Sequence, residues 1–136
     1  MKVDGACHCG AIAYVAEVDP QKVGICHCAD CQALSASAFR TIAVAPGETF
    51  RVTRGVPKEY VKTAESGRQR IQAFCGTCGS GLYATDVGDN PATYNIRVGT
   101  LTQRHDLPPA FECWRESALG WQPPLATTAK FDKSPA

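Results

Sequence analysis

The chain has 136 residues, of which 44% are hydrophobic and 20% are charged, and its formal net charge is +1. This length and composition favour a single folded domain with a modest core and exclude a wholly disordered chain. The near-neutral charge, which has no long run of one sign, argues against nucleic-acid binding, and the apolar runs are too short to cross a membrane.

Short strands separated by turn residues follow one another along the chain. Apolar and polar residues alternate over 11–18, which predicts a half-buried strand. A Pro-Gly turn between 39–44 and 49–53 predicts a hairpin, and a helical turn is expected only over 31–37. The remaining predicted strands cover 58–63, 68–74, 81–85, 93–99 and 110–115. The first two of these flank a Ser-Gly turn and predict an antiparallel pair, so the whole pattern indicates an all-β domain.

We expect this single domain to occupy residues 1–125. The segment 126–136 is polar and has Phe131 as its only large apolar residue. Such a segment has little to anchor it to a core, so the sequence predicts a loosely ordered tail over 126–136.

Eight cysteines are the most distinctive feature of the composition. They are Cys7, Cys9, Cys26, Cys28, Cys31, Cys75, Cys78 and Cys113. Cysteines separated by one or two residues seldom pair with each other in disulfides, but they chelate metal ions well. Residues 1–5 contain no apolar segment typical of a signal peptide, so we expect a cytoplasmic protein with reduced thiols. The sequence therefore predicts metal binding rather than disulfides.

Seven of the cysteines fall into three clusters of two, three and two. A structural zinc takes four protein ligands, whereas a catalytic zinc takes three and keeps one exchangeable position. The natural partition assigns a structural zinc to the outer clusters: Cys7, Cys9, Cys75 and Cys78. It assigns a catalytic zinc to the middle cluster: Cys26, Cys28 and Cys31. We therefore predict two Zn²⁺ ions per chain, one structural and one catalytic.

Other arrangements of the thiols stay open at this point. Cys28 and Cys31 with Cys75 and Cys78 would form one structural zinc ribbon across a long loop. Cys113 is expected to be a small buried apolar residue, but as a fourth ligand it would close the middle cluster and make both zincs structural. Pairs of this spacing also serve iron–sulfur clusters.

The segments around the clusters resemble the glutathione-dependent formaldehyde-activating enzyme (GFA) family, which includes the centromere protein V relatives. The matching segments are Gly5-Ala6-Cys7-His8-Cys9-Gly10-Ala11-Ile12, Cys26-His27-Cys28-Ala29-Asp30-Cys31, Phe74-Cys75-Gly76-Thr77-Cys78-Gly79-Ser80 and Val98-Gly99-Thr100-Leu101. The resemblance implies a zinc-braced fold of stacked antiparallel sheets, similar to the Mss4-like group, and the same division of zinc ligands. It also implies a carbon–sulfur lyase that joins glutathione and formaldehyde reversibly into S-(hydroxymethyl)glutathione.

The candidate catalytic residues are accordingly Cys26, Cys28, Cys31 and His27. His27 is a candidate ligand, proton shuttle or hydrogen-bond donor to sulfur, and we favour a hydrogen-bonding or surface role because thiolates are already plentiful. Basic residues in the middle of the chain are candidates to receive the carboxylates of glutathione. They are Arg51, Arg54, Lys58, Lys62, Arg68 and Arg70. Two rival hypotheses are a non-catalytic, zinc-stabilised binding module and a carrier that binds glutathione without turnover.

Overall fold

Two β-sheets and one short helix make up the fold in the computed structural model, which describes residues 1–135. The strands are β1 (Lys2–Ala6), β2 (Ala13–Glu17), β3 (Val23–Cys26), β4 (Arg40–Pro46), β5 (Arg51–Arg54), β6 (Lys58–Thr63), β7 (Gln69–Phe74), β8 (Gly81–Asp86), β9 (Thr93–Arg97), β10 (Phe111–Cys113) and β11 (Ala129–Lys130). The helix α1 covers Ala29–Ser35. Short 3₁₀ turns cover Pro20–Lys22, Gly47–Thr49, Val98–Thr100, Arg104–Asp106 and Arg115–Ser117. No helix within these residues is long and apolar enough to cross a membrane.

A small antiparallel sheet with the order β1-β2-β5 covers one face of the larger sheet. Its inward side chains follow the period of two expected of strands with one face buried, as Tyr14 and Ala16 of β2 illustrate at 1% and 5% exposure. They pack against Ala43 of β4 and Ile96 of β9, both fully buried in the larger sheet. The core therefore lies between the two sheets.

The larger sheet has eight strands in the order β11-β10-β3-β4-β9-β8-β7-β6. Its pairs are antiparallel from β3 to β6, but β10 runs parallel to both β3 and β11. All four residues of β3 are buried, as expected of a strand covered on both faces. Helix α1 connects β3 to β4 and lies over the face of the sheet that is not covered by the small sheet. The carboxylate of Asp30 on α1 and Nζ of Lys62 on β6 lie 2.6 Å apart across this face.

The predicted all-β, Mss4-like architecture of stacked sheets is confirmed, and so is the antiparallel pair β6–β7. The predicted hairpin between 39–44 and 49–53 is wrong, since β4 pairs in the large sheet and β5 in the small one. The Pro-Gly turn marks the place where the chain changes sheets instead. The helical turn expected over 31–37 is present as α1.

Part of the segment predicted to be a tail contacts the larger sheet. Ala129 and Lys130 form β11 beside β10, and the backbone N–H of Trp114 donates to the carbonyl of Lys133. Thr128 is buried at 7% exposure. The domain boundary at residue 125 stays a prediction, and Ala136 lies outside the described residues.

Candidate metal centres

Four thiols from two distant parts of the chain meet at one edge of the small sheet. They belong to Cys7, Cys9, Cys75 and Cys78, and their sulfur atoms all lie within 4.8 Å of one another. The first two follow β1, and the other two lie in the turn between β7 and β8. This grouping matches the predicted one and differs from the zinc ribbon, which would have joined the last pair to the middle cluster.

Two glycine turns bring these sulfurs together. Gly10 has a φ of +80° and Gly79 a φ of +81°, a backbone region that favours glycine, so each loop can bend back after its second cysteine. The backbone N–H groups of Thr77 and Cys78 donate to Sγ of Cys75 at 3.4 and 3.5 Å. These two hydrogen bonds fix the position of the Cys75 sulfur within the turn.

The spacing of the sulfurs fits a tetrahedral zinc. Zinc–sulfur bonds of about 2.3 Å in a tetrahedron place neighbouring sulfurs about 3.8 Å apart. The Sγ atoms of Cys7 and Cys9 are 3.7 Å apart, and those of Cys9 and Cys75 are also 3.7 Å apart. This cluster can therefore hold a zinc ion with four thiolate ligands.

Three further thiols meet where β3 leads into α1. Cys26 ends β3, Cys28 is the N-cap of α1, and Cys31 lies in its first turn. Their sulfurs lie within 4.8 Å of one another, so the middle cluster can also hold a metal ion. The N–H of Cys31 donates to Sγ of Cys28 at 3.3 Å, which is the bond that a capping side chain makes at a helix start.

The thiols of the middle cluster shift one another's pKa values. Contacts with Cys26 and Cys31 lower the pKa of the Cys28 thiol to about 2, and the positive charge of Arg40 adds to this shift. Contacts with Cys26 and Cys28 raise the pKa of Cys31, while a contact with Cys113 is the main cause that raises the pKa of Cys26. Because cysteine binds metal as the thiolate, a lowered pKa of the Cys28 thiol favours metal binding.

Cys113 lies beside the middle cluster but not within it. Its strand β10 pairs with β3 so that Cys113 faces Cys26, and its thiol is buried at 7% exposure. It does not belong to the group of sulfurs that lie within 4.8 Å of one another. The described geometry therefore leaves three thiols in the middle cluster.

His27 points away from the thiols into a buried polar network. The side chain is 0% exposed, and its Nε2 donates to Oε1 of Glu112 on β10 at 2.8 Å. The other carboxylate oxygen accepts hydrogen bonds from the hydroxyl of Thr128 and the backbone N–H of Leu125. Although burial raises it, these hydrogen bonds hold the pKa of Glu112 below its usual value. The network ties the turn at 26–28 to β10 and to the segment that follows it.

Replacing Glu112 with glutamine is expected to lower the free energy of unfolding by about 2 kcal/mol. A neutral amide oxygen accepts a weaker hydrogen bond from His27, and the amide NH₂ would face the hydroxyl of Thr128 and the N–H of Leu125, which are themselves donors. Urea unfolding of the zinc-loaded protein, followed by circular dichroism, measures this change. The matched control is Glu116→Gln, since Glu116 is exposed and its carboxylate makes no hydrogen bond or ion pair within residues 1–135. Equal stability of the two variants would contradict a structural role for the network.

Sequence reasoning missed two arginines next to the middle cluster. Arg40 on β4 is the cross-strand partner of Cys26, and Arg97 on β9 faces Ile42 on the same side of the sheet. One feature of the sequence could have indicated Arg40: it is a charged residue on the same strand face as the apolar residues Ile42 and Val44. Neither belongs to the basic residues that the sequence singled out.

Comparison with known proteins relates these features to one family. The family model described as glutathione-dependent formaldehyde-activating enzyme matches residues 2–117. Among solved structures, the chain is similar to a crystal structure of a Rhodobacter sphaeroides protein, with a TM-score of 0.59 and 22% identity over 94% of this chain and 98% of that chain. This likeness supports the fold alone, and no curated protein matches the chain. Because the family model spans most of the residues, including both thiol clusters, the chain belongs to the glutathione-dependent formaldehyde-activating enzyme family.

Proposed function

We propose that this protein catalyses the reversible addition of a thiol to an aldehyde, with glutathione and formaldehyde, which the family's description names, as substrates. In this reaction the thiol sulfur forms a bond to the carbonyl carbon, and the thiol proton passes to the carbonyl oxygen. The product is S-(hydroxymethyl)glutathione, and its cleavage is a carbon–sulfur lyase reaction.

One observation carries the proposal, namely that seven thiols gather into one set of four and one set of three. Four thiolates fill the ligand positions of a zinc ion, whereas three leave one position for a substrate. We assign the structural zinc to Cys7, Cys9, Cys75 and Cys78. We assign the catalytic zinc to Cys26, Cys28 and Cys31. Zinc held by the three thiolates would supply a Lewis acid that favours the ionised form of a bound thiol.

The surrounding residues have separate tasks in this proposal. The positive charge of Arg40 acts on Cys28 and Cys31 and favours their thiolate forms. His27 is a positioning residue, since its full burial keeps it from touching a substrate, and its bond to Glu112 fixes the turn between Cys26 and Cys28. Phe39, whose ring lies 5.5 Å from that of His27, lines a neighbouring cavity of about 490 Å³.

Exchange NMR with ¹³C-formaldehyde and glutathione tests the reaction, because it measures the rate of adduct formation at equilibrium. We expect the exchange rate to rise in proportion to the concentration of zinc-loaded protein above the uncatalysed rate. Cys28→Ser protein at the same concentration is the control and should leave the rate at the uncatalysed value.

Two results would overturn the enzymatic proposal in different ways. Glutathione binding by calorimetry without any increase in exchange rate would indicate a carrier. Absence of both binding and acceleration would indicate a zinc-stabilised binding module. An increase that the Cys28→Ser protein reproduces would place the activity elsewhere than the middle cluster.

We further propose that the protein works in a reducing compartment such as the cytoplasm. All eight cysteines are free thiols, and neither metal cluster retains its ligands if its thiols are oxidised to disulfides.

A further inference from the structure

Two arginines lie close together on the open face of the larger sheet without a carboxylate partner. No carboxylate oxygen within residues 1–135 lies within 4.0 Å of the guanidinium of Arg40 or Arg97. Both instead share the neutral side chain of Gln72, whose Oε1 accepts from Nη2 of Arg97 at 2.7 Å and from Nη1 of Arg40 at 3.4 Å. One amide oxygen thus receives two cationic groups.

This pair of like charges is partly removed from water. Burial, and then the charge of Arg40, lowers the pKa of Arg97. Nε of Arg40 is buried and has no hydrogen-bond partner within residues 1–135. Two neighbouring cations in a partly desolvated place repel each other, and an anion between them relieves that repulsion. No carboxylate within residues 1–135 supplies such an anion within 4.0 Å of either guanidinium group.

Space for an anion exists directly at the two guanidinium groups. Two adjoining cavities of about 490 and 270 Å³ share Arg40 and Arg97 in their walls. Both are also bordered by Leu34 of α1, by Gly79 in the turn between β7 and β8, and by Gly81 at the start of β8. Their combined size falls in the range of small-molecule sites.

The cavities and the middle cluster belong to one region. Arg40 lies directly across the strand pair from Cys26, and antiparallel partners project to the same face of a sheet. Leu34, which lines both cavities, lies one helical turn after Cys31 on α1. An anion at the arginines and a thiol at the middle cluster can therefore belong to one molecule.

We propose that Arg40 and Arg97 bind a carboxylate of the thiol substrate and so restrict the substrate to thiols that carry a carboxylate. This inference rests on the function proposed above. Guanidinium groups match the two oxygens of a carboxylate with paired N–H donors, and such charge-assisted bonds are the strong ones in binding sites.

The chemistry of the cavity walls selects one end of glutathione. The walls include no aspartate or glutamate, so a substrate ammonium group would find no counter-ion there. The γ-glutamyl end of glutathione carries an ammonium group beside its carboxylate, whereas the glycyl end carries a carboxylate alone. The glycyl carboxylate is therefore the group that we assign to Arg40 and Arg97.

Calorimetric binding of glutathione and of its glycyl monoethyl ester to the zinc-loaded protein tests this assignment. The ester keeps the thiol and the γ-glutamyl end but lacks the glycyl charge. Loss of charge-assisted hydrogen bonds is expected to weaken binding of the ester by about 10-fold to 100-fold relative to glutathione.

Variants then show whether the arginines cause the preference for glutathione over its ester. Arg97→Gln should weaken glutathione binding and bring the ratio of the two affinities close to one. Gln72→Glu should do the same by placing a carboxylate between the arginines, and it keeps the test decisive if Arg97→Gln does not fold. The matched control is Arg104→Gln, which removes the same charge from an exposed arginine of the 3₁₀ turn Arg104–Asp106 that lines neither cavity, and it should preserve the discrimination.

The outcomes separate this inference from the proposed reaction. The carboxylate site would be overturned if the unaltered protein binds glutathione and its ester equally well. It would also be overturned if both Arg97→Gln and Gln72→Glu proteins still prefer glutathione to the ester. Either result holds even if the protein accelerates adduct exchange. If the arginines control the preference for glutathione over its ester but the protein does not accelerate adduct exchange, the carboxylate site is upheld and the enzymatic function is rejected.

Discussion

Cys75→Ser protein is expected to retain at most one zinc ion and to be largely unfolded at room temperature. The Cys75 sulfur is 1% exposed, lies 3.7 Å from that of Cys9 and accepts two backbone hydrogen bonds, so it lies at the centre of the four-thiol cluster. A structural zinc contributes about 10 kcal/mol or more to folding, which is comparable with the whole stability of a small domain. A serine hydroxyl is a much poorer zinc ligand than a thiolate.

Circular dichroism and elemental analysis of the purified variant measure the loss of structure and of metal together. Cys113→Ser is the matched control, because it also replaces a buried thiol but one outside both clusters, and we expect that variant to keep two zinc ions and its fold. A folded Cys75→Ser protein with an unchanged melting temperature would show that the four-thiol cluster does not support the fold.

Cys28→Ser protein is expected to fold, to hold one zinc ion instead of two, and to lose all acceleration of adduct formation. Serine is among the preferred N-cap residues, so its hydroxyl can accept the hydrogen bond from the Cys31 backbone that the thiol now accepts. Helix α1 therefore keeps its cap while the middle cluster is left with two thiols, too few for a stable zinc site.

X-ray absorption at the zinc edge distinguishes the two clusters in these proteins. In the unaltered protein we expect an average of fewer than four sulfur ligands per zinc, rising when glutathione is added. In the Cys28→Ser protein the remaining zinc should have four sulfur ligands and should not respond to glutathione. Equal loss of fold in Cys28→Ser and Cys75→Ser would mean that both metals are structural.

The sequence predicts the features that depend on neighbouring residues. Alternation of apolar and polar side chains is enough to find β2, because the period of two follows from strand geometry. The Ser-Gly turn between 58–63 and 68–74 is enough to find the pair β6–β7. The spacing of the thiols favours a cluster of four and a cluster of three, and the glycines that follow Cys9 and Cys78 indicate loops that bend around a metal. The zinc ribbon and a ligand role for Cys113 stayed open until the structure placed the sulfurs.

Features that depend on distant residues could not be predicted in this way. The parallel register of β10 against β3 brings Glu112 to His27 across 85 positions of the chain, and no local pattern encodes that pairing. The meeting of Arg40 with Arg97 depends on the order β3-β4-β9 and on Gln72 reaching across from β7. Sheet order of this kind is determined by tertiary packing rather than by local propensity.

The four-thiol cluster closes a long loop of the chain, and this has a consequence for the synthesis of the protein. Cys9 and Cys75 contact each other although 66 residues separate them. At ordinary elongation rates of about 5–20 residues per second, roughly 3–13 s pass between the appearance of the two thiols outside the ribosome. During that interval Cys7 and Cys9 lack the other two thiols of the cluster. Under the proposed zinc assignment, we expect this part of the fold to form only after residues 75–78 emerge and a zinc ion binds.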